Sequence, residues 1–210
     1  RLQAILRPRR FFSSPELVRL YKSLVLSYIE SGTPGYYHAS QSVLDCIDRV
    51  QRRFLREMQL SDEDALLNYR LAPLAARRDI AVLGFLHRAS LGLVTKQIQQ
   101  LFPRVGRREP VGSAIPSRVR GATAFHNRQL FDRVTASSTE QLKKSFFGMV
   151  QCYNALPQHV VNHQSVSSFQ RELQDSMMRR AAEGFDGWQQ IFSVGRRYAS
   201  ILRFQAFFKA

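Results

Sequence analysis

The sequence is poor in cysteine and has no long apolar run, and each shortage excludes a class of protein. Of its 210 residues only two are cysteines, Cys46 and Cys152. They lie too far apart in the sequence for one Cys-x-x-Cys metal site, so we interpret both as buried free thiols in a reducing compartment. No segment approaches the run of about 18 apolar residues that a membrane-spanning helix requires, so we expect no membrane partner.

Acidic residues are also scarce. The chain has 16 Asp+Glu against 31 Lys+Arg, which gives a net charge of +15. This excess indicates a polyanionic partner, most often nucleic acid. A merely solubilising surface is the alternative, but most of the basic residues are arginines, whose planar guanidinium suits phosphate better than the lysine ammonium does. Apolar residues make up 44% of the chain, which is enough for a folded core.

The residue patterns of catalysis are missing as well. A two-metal polymerase or nuclease needs carboxylates from separate elements, but the only acidic cluster, 62–64, follows Ser61 at a predicted helix start, where acids stabilise the dipole. His159 and His163 are separated by valines that favour extended structure, and they lack the glutamate of a zinc motif. We therefore expect no enzymatic activity, metal or cofactor in this chain.

Helix start and stop signals predict an all-α fold, beginning with "SPELVRLYKSLVLSYIESG". Ser14 is the predicted N-cap and Pro15 the first helical residue. Gly32 is expected to close the helix in a left-handed conformation, and Pro34 to prevent continuation. The spacing predicts a buried face made of Leu17, Leu20, Tyr21, Leu24 and Tyr28.

A second helix is predicted from Ser40 or Ser42, with apolar and cationic residues on different faces. The apolar stripe consists of Val43, Ile47, Val50, Phe54 and Met58. Spacings of three and four place four arginines on the other side, Arg49, Arg52, Arg53 and Arg56. We predict that Phe54 is buried, that Arg52 and Arg56 are exposed, and that the four arginines bind nucleic-acid phosphates.

The remaining pattern divides the chain into three parts. Residues 1–102 form a helical bundle, 103–137 a basic loop, and 138–210 a second small helical subdomain. In this subdomain one helix is predicted from a cap at Ser138 or Thr139 to Pro157. Another is predicted over "SVSSFQRELQDSMMRR", with Ser165 as its cap and a stripe of Val166, Phe169, Leu173 and Met177. The loop has room for short strands at "SRVRG" and "LFDRV" and is assigned to nucleic-acid binding through five arginines, Arg104, Arg107, Arg108, Arg118 and Arg120. A plain disordered linker is the alternative for this loop.

Two groups of aromatic residues have no decisive sequence context. Tyr36 and Tyr37 could stack on bases or sugars, or pack in the core, which is the more common place for an aromatic side chain. His38, His87 and His126 have no candidate partner nearby in the sequence.

Four stretches carry a family resemblance. They are "LYKSLVLSYIESGTP", "LDCIDRVQRRFLREM", "YRLAPLAARRDIAVLGFLHR" and "SFFGMVQCYNALPQHVVNHQSVSSFQREL". Their order and spacing resemble the segment after the polymerase core in reverse transcriptases of non-LTR (LINE-type) retrotransposons. The resemblance covers about half of the chain, 17–90 and 142–173, and includes no catalytic signature.

The resemblance implies a helical thumb within 1–102 that grips the backbone of an RNA–DNA or DNA duplex, or template RNA. The four arginines of the second helix would then be duplex contacts, and Arg77 and Arg78 packing or backbone contacts. The catalytic core of fingers and palm is absent here and would lie elsewhere in the same parent RNA-directed DNA polymerase. Such a protein would be intracellular, in the nucleus or in a ribonucleoprotein particle.

Some features depart from the family or leave another interpretation open. Tyr36, Tyr37 and His38 stand where the family often has a tryptophan, and no Cys/His knuckle follows at the C-terminus. Because the chain begins at Arg1 rather than Met, we expect a piece of a longer polypeptide. The alternative function is a basic helical protein–protein interaction module with no enzymatic role.

Overall fold

The computed structural model describes residues 1–105, 126–135, 137–194 and 201–208, and helices are the only regular elements in these ranges. In the first range the α-helices are α1 (Leu2–Leu6), α2 (Ser14–Tyr21), α3 (Ser27–Ser31), α4 (Thr33–Tyr36), α5 (Gln41–Glu57), α6 (Asp62–Tyr69), α7 (Leu74–Ser90) and α8 (Lys96–Leu101). The later ones are α9 (Glu140–Lys144), α10 (Val150–Asn154), α11 (Gln158–Val161), α12 (Val166–Ala182), α13 (Ile191–Val194) and α14 (Ile201–Phe208). The predicted all-α class is confirmed.

The chain forms two compact units that are discontinuous in sequence. The first consists of Arg1–Ala81 and Leu173–Ser193, and the second of Val82–Glu172 and Val194–Ala210. Within the first unit, an ion pair between Arg70 and Asp175, 2.9 Å long, joins its two segments. The division into 1–102, 103–137 and 138–210 stays a prediction.

Helix α2 begins one residue earlier than its sequence signals predict. Its N-cap is Ser13, which forms a capping box with Glu16. The hydrogen bond from the Ser13 backbone lowers the pKa of the Glu16 carboxyl. The predicted end of this helical stretch is also wrong, because Gly32 has a right-handed φ of −84° and Pro34 lies inside the first turn of α4.

A π-helical turn, Lys22–Leu26, connects α2 to α3 and moves the buried face. Leu24 is 50% exposed and Tyr28 is 64% exposed, so their predicted burial is wrong, whereas Val25 and Leu26 are buried. The reason is that a π-turn closes i→i+5 hydrogen bonds, so each turn takes up extra residues and a 3.6-residue spacing loses its register.

The core of the first unit forms around two stacked rings. The centroids of Tyr21 and Phe54 lie 4.2 Å apart with the ring planes 11° from parallel. Both side chains are fully buried, which confirms the prediction for Phe54. Further apolar side chains in this core are Ile5, Leu6, Leu17, Val18, Val25, Leu26, Leu55, Ala65, Leu71 and Leu74. Helices α1, α2, α5 and α6 are thereby fixed against one another.

The second unit contains a helical stretch that a glycine interrupts. The continuous helix predicted between Ser138 and Pro157 is divided into α9, a 3-10 turn at Phe146–Met149, and α10. A Cβ atom on Gly148 would lie 1.8 Å from the carbonyl oxygen of Lys143, so only glycine fits this close approach. By contrast, α12, whose residues from Leu173 onward belong to the first unit, follows the predicted stripe, with Phe169, Leu173 and Met177 all buried.

Two predictions of extended structure were wrong or lie outside the described residues. "LFDRV" contributes only one antiparallel bridge, between Arg104 and Leu130, while "SRVRG" is not among the described residues. The "HVVNH" stretch contains α11 rather than extended chain, and this turn buries Val160 and Val161. Burial of their side chains outweighs the β-propensity of valine.

Candidate nucleic-acid interface

Helix α5 carries its arginines on the side opposite the core. Its buried residues are Gln51, Phe54 and Leu55. Four arginines, Arg49, Arg52, Arg53 and Arg56, are all exposed, and we call them the arginine band. Because α5 turns by 3.6 residues, packing and charge use separate faces. The predicted burial of Val43 is wrong, since it is 47% exposed and the stripe packs on the core only from Ile47 onward. The exposure predicted for Arg52 and Arg56 is confirmed, whereas phosphate binding by the band stays a prediction.

No ion pair among the described residues neutralises the arginine band. Among the described residues none of the four forms an ion pair; Arg49 donates to the thiol of Cys46 at 2.6 Å, and Arg52 to the carbonyl of Asp45 at 3.3 Å. Burial raises the pKa of Asp62, and the charge of Arg52 partly opposes this. Cys46 itself is exposed. Its predicted burial was wrong, because it lies on the arginine side of the helix.

Two of the three acids of α5, Asp48 and Glu57, are engaged with other arginines. Asp48 receives two hydrogen bonds from Arg78, of 2.5 and 3.0 Å, and Arg78 is only 6% exposed. Glu57 pairs with Arg9 at 2.7 Å. Arg77 pairs with Glu30, so Arg77 and Arg78 both have packing roles in the first unit. The third acid of α5, Asp45, accepts a hydrogen bond from Gln41 at 3.0 Å, so one carboxylate of this helix stays beside the four arginines of the band.

An open cleft of about 450 Å³ extends the positive surface from α5 to the N-terminal segment. It is lined by four arginines, one glutamate, one glutamine and one leucine, namely Arg7, Arg9, Arg10, Arg53, Glu57, Gln3 and Leu6. We call this the basic cleft. Its lining carries more positive than negative charge, and Arg53 belongs to both the cleft and the arginine band.

The sequence analysis did not identify three of the cleft arginines as site residues. Arg7, Arg9 and Arg10 stand in "LRPRRFF", outside any strongly periodic helix, so periodicity assigned them to no site. The signal that could have found them is local charge density beside adjacent phenylalanines. Their contact with α5 is not visible in sequence, since the Arg9–Glu57 pair spans 48 positions.

Of the five loop arginines, only Arg104 is among the described residues. Arg104 is half-buried, and its guanidinium donates to the carbonyl of Ser90 at the end of α7. Backbone hydrogen bonds on both sides of it, from Val105 to Gln129 and from Phe131 to Pro103, fix this position. This geometry favours a structural role for Arg104. The predicted sites Arg107, Arg108, Arg118 and Arg120 lie outside the described residues.

The tyrosines proposed as stacking surfaces pack instead. Tyr37 is 3% exposed, and its hydroxyl donates to Asp79 at 3.0 Å. Tyr36 is half-buried and donates to the carbonyl of Ile29 at 2.8 Å. Of the two alternatives for these residues, core packing is the one that the structure supports.

A buried polar network occupies the second unit around His87. Its Nε2 lies 2.8 Å from the carbonyl of His163, and its Nδ1 lies 3.1 Å from the hydroxyl of Tyr153. A carbonyl only accepts, so Nε2 carries the proton and Nδ1 accepts from Tyr153. The ring stacks on Phe169 with centroids 4.1 Å apart. Ser90 lies 2.7 Å from the same hydroxyl.

Burial governs the ionisation of this network. It lowers the pKa of His87 to about 4 and raises the pKa of Tyr153 to about 12. His126 donates from Nε2 to the Tyr153 carbonyl, 3.0 Å away, and burial also lowers its pKa. These side chains are neutral at pH 7 and saturated by internal partners. They suit a structural role better than proton transfer to a substrate.

The described residues contain no group of three or more His, Cys, Asp or Glu that could hold a metal ion. None of the helices in those residues is both long and apolar enough to cross a membrane. No family model, curated protein or solved structure matches the chain. The arginine band and the basic cleft are the features of the described residues that bear on function.

Proposed function

We propose that the chain is a non-catalytic, nucleic-acid-binding segment of a LINE-type reverse transcriptase. In this proposal it grips the backbone of a primer–template duplex or template RNA through α5 and the N-terminal segment. The missing fingers and palm of the parent polypeptide would supply the polymerase centre. The family part of the proposal is supported by the ordered sequence stretches, and the binding part by the charge geometry of the first unit.

The observation that carries the proposal is the convergence of separate arginines on one cleft. Arg53 comes from α5, while Arg7, Arg9 and Arg10 come from the segment between α1 and α2. Holding cations together costs Coulomb energy, about 1 kcal/mol for two unit charges 4 Å apart in water. A polyanion placed in the cleft would reverse that cost and release its own condensed counterions.

The geometry suits recognition of phosphates rather than of base sequence. Arginine forks form bidentate hydrogen bonds with phosphate oxygens, and such contacts position a nucleic acid without reading its sequence. Helix α5 presents its arginines at intervals of three and four residues, so they follow one side of a rigid element. Phe54 anchors the opposite side, which keeps the band oriented.

A protein-binding module is the second candidate, and one observation favours it. Leu24 and Tyr28 stand 50% and 64% exposed on the helical stretch that contains the π-turn. Exposed apolar side chains on one element are a common feature of protein interfaces. The remaining core of the polymerase is one partner that such a surface would fit.

The salt dependence of binding distinguishes the two candidate functions. Binding of the 210-residue chain to a labelled duplex is measured by fluorescence anisotropy over a series of salt concentrations. We expect log affinity to fall linearly with log salt, with a slope of about −0.9 for each phosphate contact on B-DNA. Absence of binding at low salt, or a slope near zero, would count against the proposal and leave the interaction module as the better account.

A further inference from the structure

The segment Arg7–Phe12 places two exposed aromatic rings beside the basic cleft. A 3-10 turn, Arg9–Phe11, is closed by a 2.9 Å hydrogen bond from the backbone of Phe11 to the carbonyl of Pro8. The turn places Arg9 and Arg10 in the cleft lining. It leaves Phe11 87% exposed and Phe12 42% exposed.

Phe11 lies on a segment that is exposed throughout. All residues from 9 to 16 are exposed, and the neighbours of the two rings in the chain are Arg9, Arg10 and Ser13. Full burial of such a ring is worth about 1.5–3 kcal/mol, and Phe54 in the same unit is fully buried. A ring that is left in water between cations and polar residues fits a ligand that is both anionic and flat.

Nucleic acid that is not base-paired has this combination of charge and shape. Its phosphates match arginines, and its free base faces stack on aromatic side chains. In a duplex the faces are covered by neighbouring base pairs, so only the phosphates remain accessible along its length. Phe11 adjoins Arg10 in the chain, with Cα atoms about 3.8 Å apart, which brings ring and guanidinium within reach of one nucleotide.

We propose that Arg7–Phe12 and Arg53 bind an unpaired stretch of nucleic acid, with phosphates in the basic cleft and a base stacked on Phe11. The inference rests on the proposed function, because it assumes that the cleft binds a nucleic-acid backbone. It adds that this end of the positive surface discriminates single strand from duplex. The arginine band on α5 continues from the cleft through Arg53 and serves either form.

Phe11→Ala tests the inference on two forms of one ligand. A short labelled RNA strand without self-complementarity is titrated alone and annealed to its complement. Loss of one stacked base should weaken single-strand binding about 5- to 150-fold, with duplex binding unchanged. The conservative change Phe11→Tyr should restore single-strand affinity. Because Phe11 is 87% exposed, the variant should melt like the wild type.

The matched control is Leu93→Ala, which removes an exposed apolar side chain of the second unit, outside the cleft, and should alter neither affinity. Arg10→Gln should weaken both forms, since phosphates are common to both. If Phe11→Ala leaves single-strand affinity unchanged, or lowers both affinities equally, the inference is wrong while the proposed function stands. If the wild type binds neither form at low salt, the proposed function fails first and this inference fails with it.

Discussion

Removal of the Phe54 ring should cost the first unit much of its stability. The side chain is fully buried and stacks on Tyr21 with centroids 4.2 Å apart. Phe→Ala at such a site costs about 3–5 kcal/mol, because the transfer free energy of the ring is forfeited and a cavity is left behind. For a chain of this length that corresponds to a fall in Tm of about 6–20 °C.

The assay is thermal melting followed by circular dichroism, with Arg52→Ala as the matched control. Arg52 lies two residues away on the same helix, but it is exposed and forms no ion pair among the described residues. Its substitution should change stability by less than about 0.5 kcal/mol. A Tm change for Phe54→Ala no larger than that for Arg52→Ala would refute the register that places the arginine band on the outside.

Two further predictions concern charge and protonation. Glu57→Gln should tighten nucleic-acid binding and steepen its salt dependence, because it removes the carboxylate that lines the basic cleft and frees Arg9; weaker binding would mean that Glu57 is needed to orient Arg9. The folded-state pKa of His87 is about 4, below its unfolded value. The contribution of His87 to folding stability is therefore close to zero above pH 6.5 and becomes destabilising as the pH falls. Stability from denaturant titration should therefore drop by about 2 kcal/mol between pH 7 and pH 5, and a His87→Gln variant with the same pH dependence would contradict this.

The parts of the fold that local chemistry decides could be predicted from the sequence. The second helix was expected to start near Ser40, and α5 begins at Gln41 with its apolar stripe centred on Phe54. Likewise α12 has the predicted bounds within one or two residues, since a serine cap and a regular stripe are signals within one helix. Arginines on the opposite face of such a stripe are exposed for the same reason.

The features that the sequence did not predict depend on the register of a helix or on contacts between residues far apart in the chain. No residue type in this segment predicts the π-turn, which exposes Leu24. The close approach at Gly148 depends on the carbonyl of Lys143, in the preceding helix. His87 meets Tyr153 66 positions along the chain, and the basic cleft requires the N-terminal segment to return to α5. Periodicity within a single element contains no information on these contacts.

The central claim is that the arginine band binds phosphates, and a triple variant tests it most directly. The variant carries Arg52→Gln, Arg53→Gln and Arg56→Gln. A charge-matched control removes three exposed cations outside the band and the cleft, through Lys96→Gln, Lys144→Gln and Arg171→Gln. Both proteins are melted to establish that they fold, and both are titrated with a labelled duplex at several salt concentrations.

The decisive quantity is the slope of log affinity against log salt. Because the band variant can no longer bind three phosphates, its slope should become shallower by about 2 to 3, while the control keeps the slope of the wild type. The weakening should be similar for duplexes of unrelated sequence, because phosphates carry no base information. An unchanged slope with a lowered Tm would contradict the account, since the arginines would then stabilise the fold rather than contact nucleic acid.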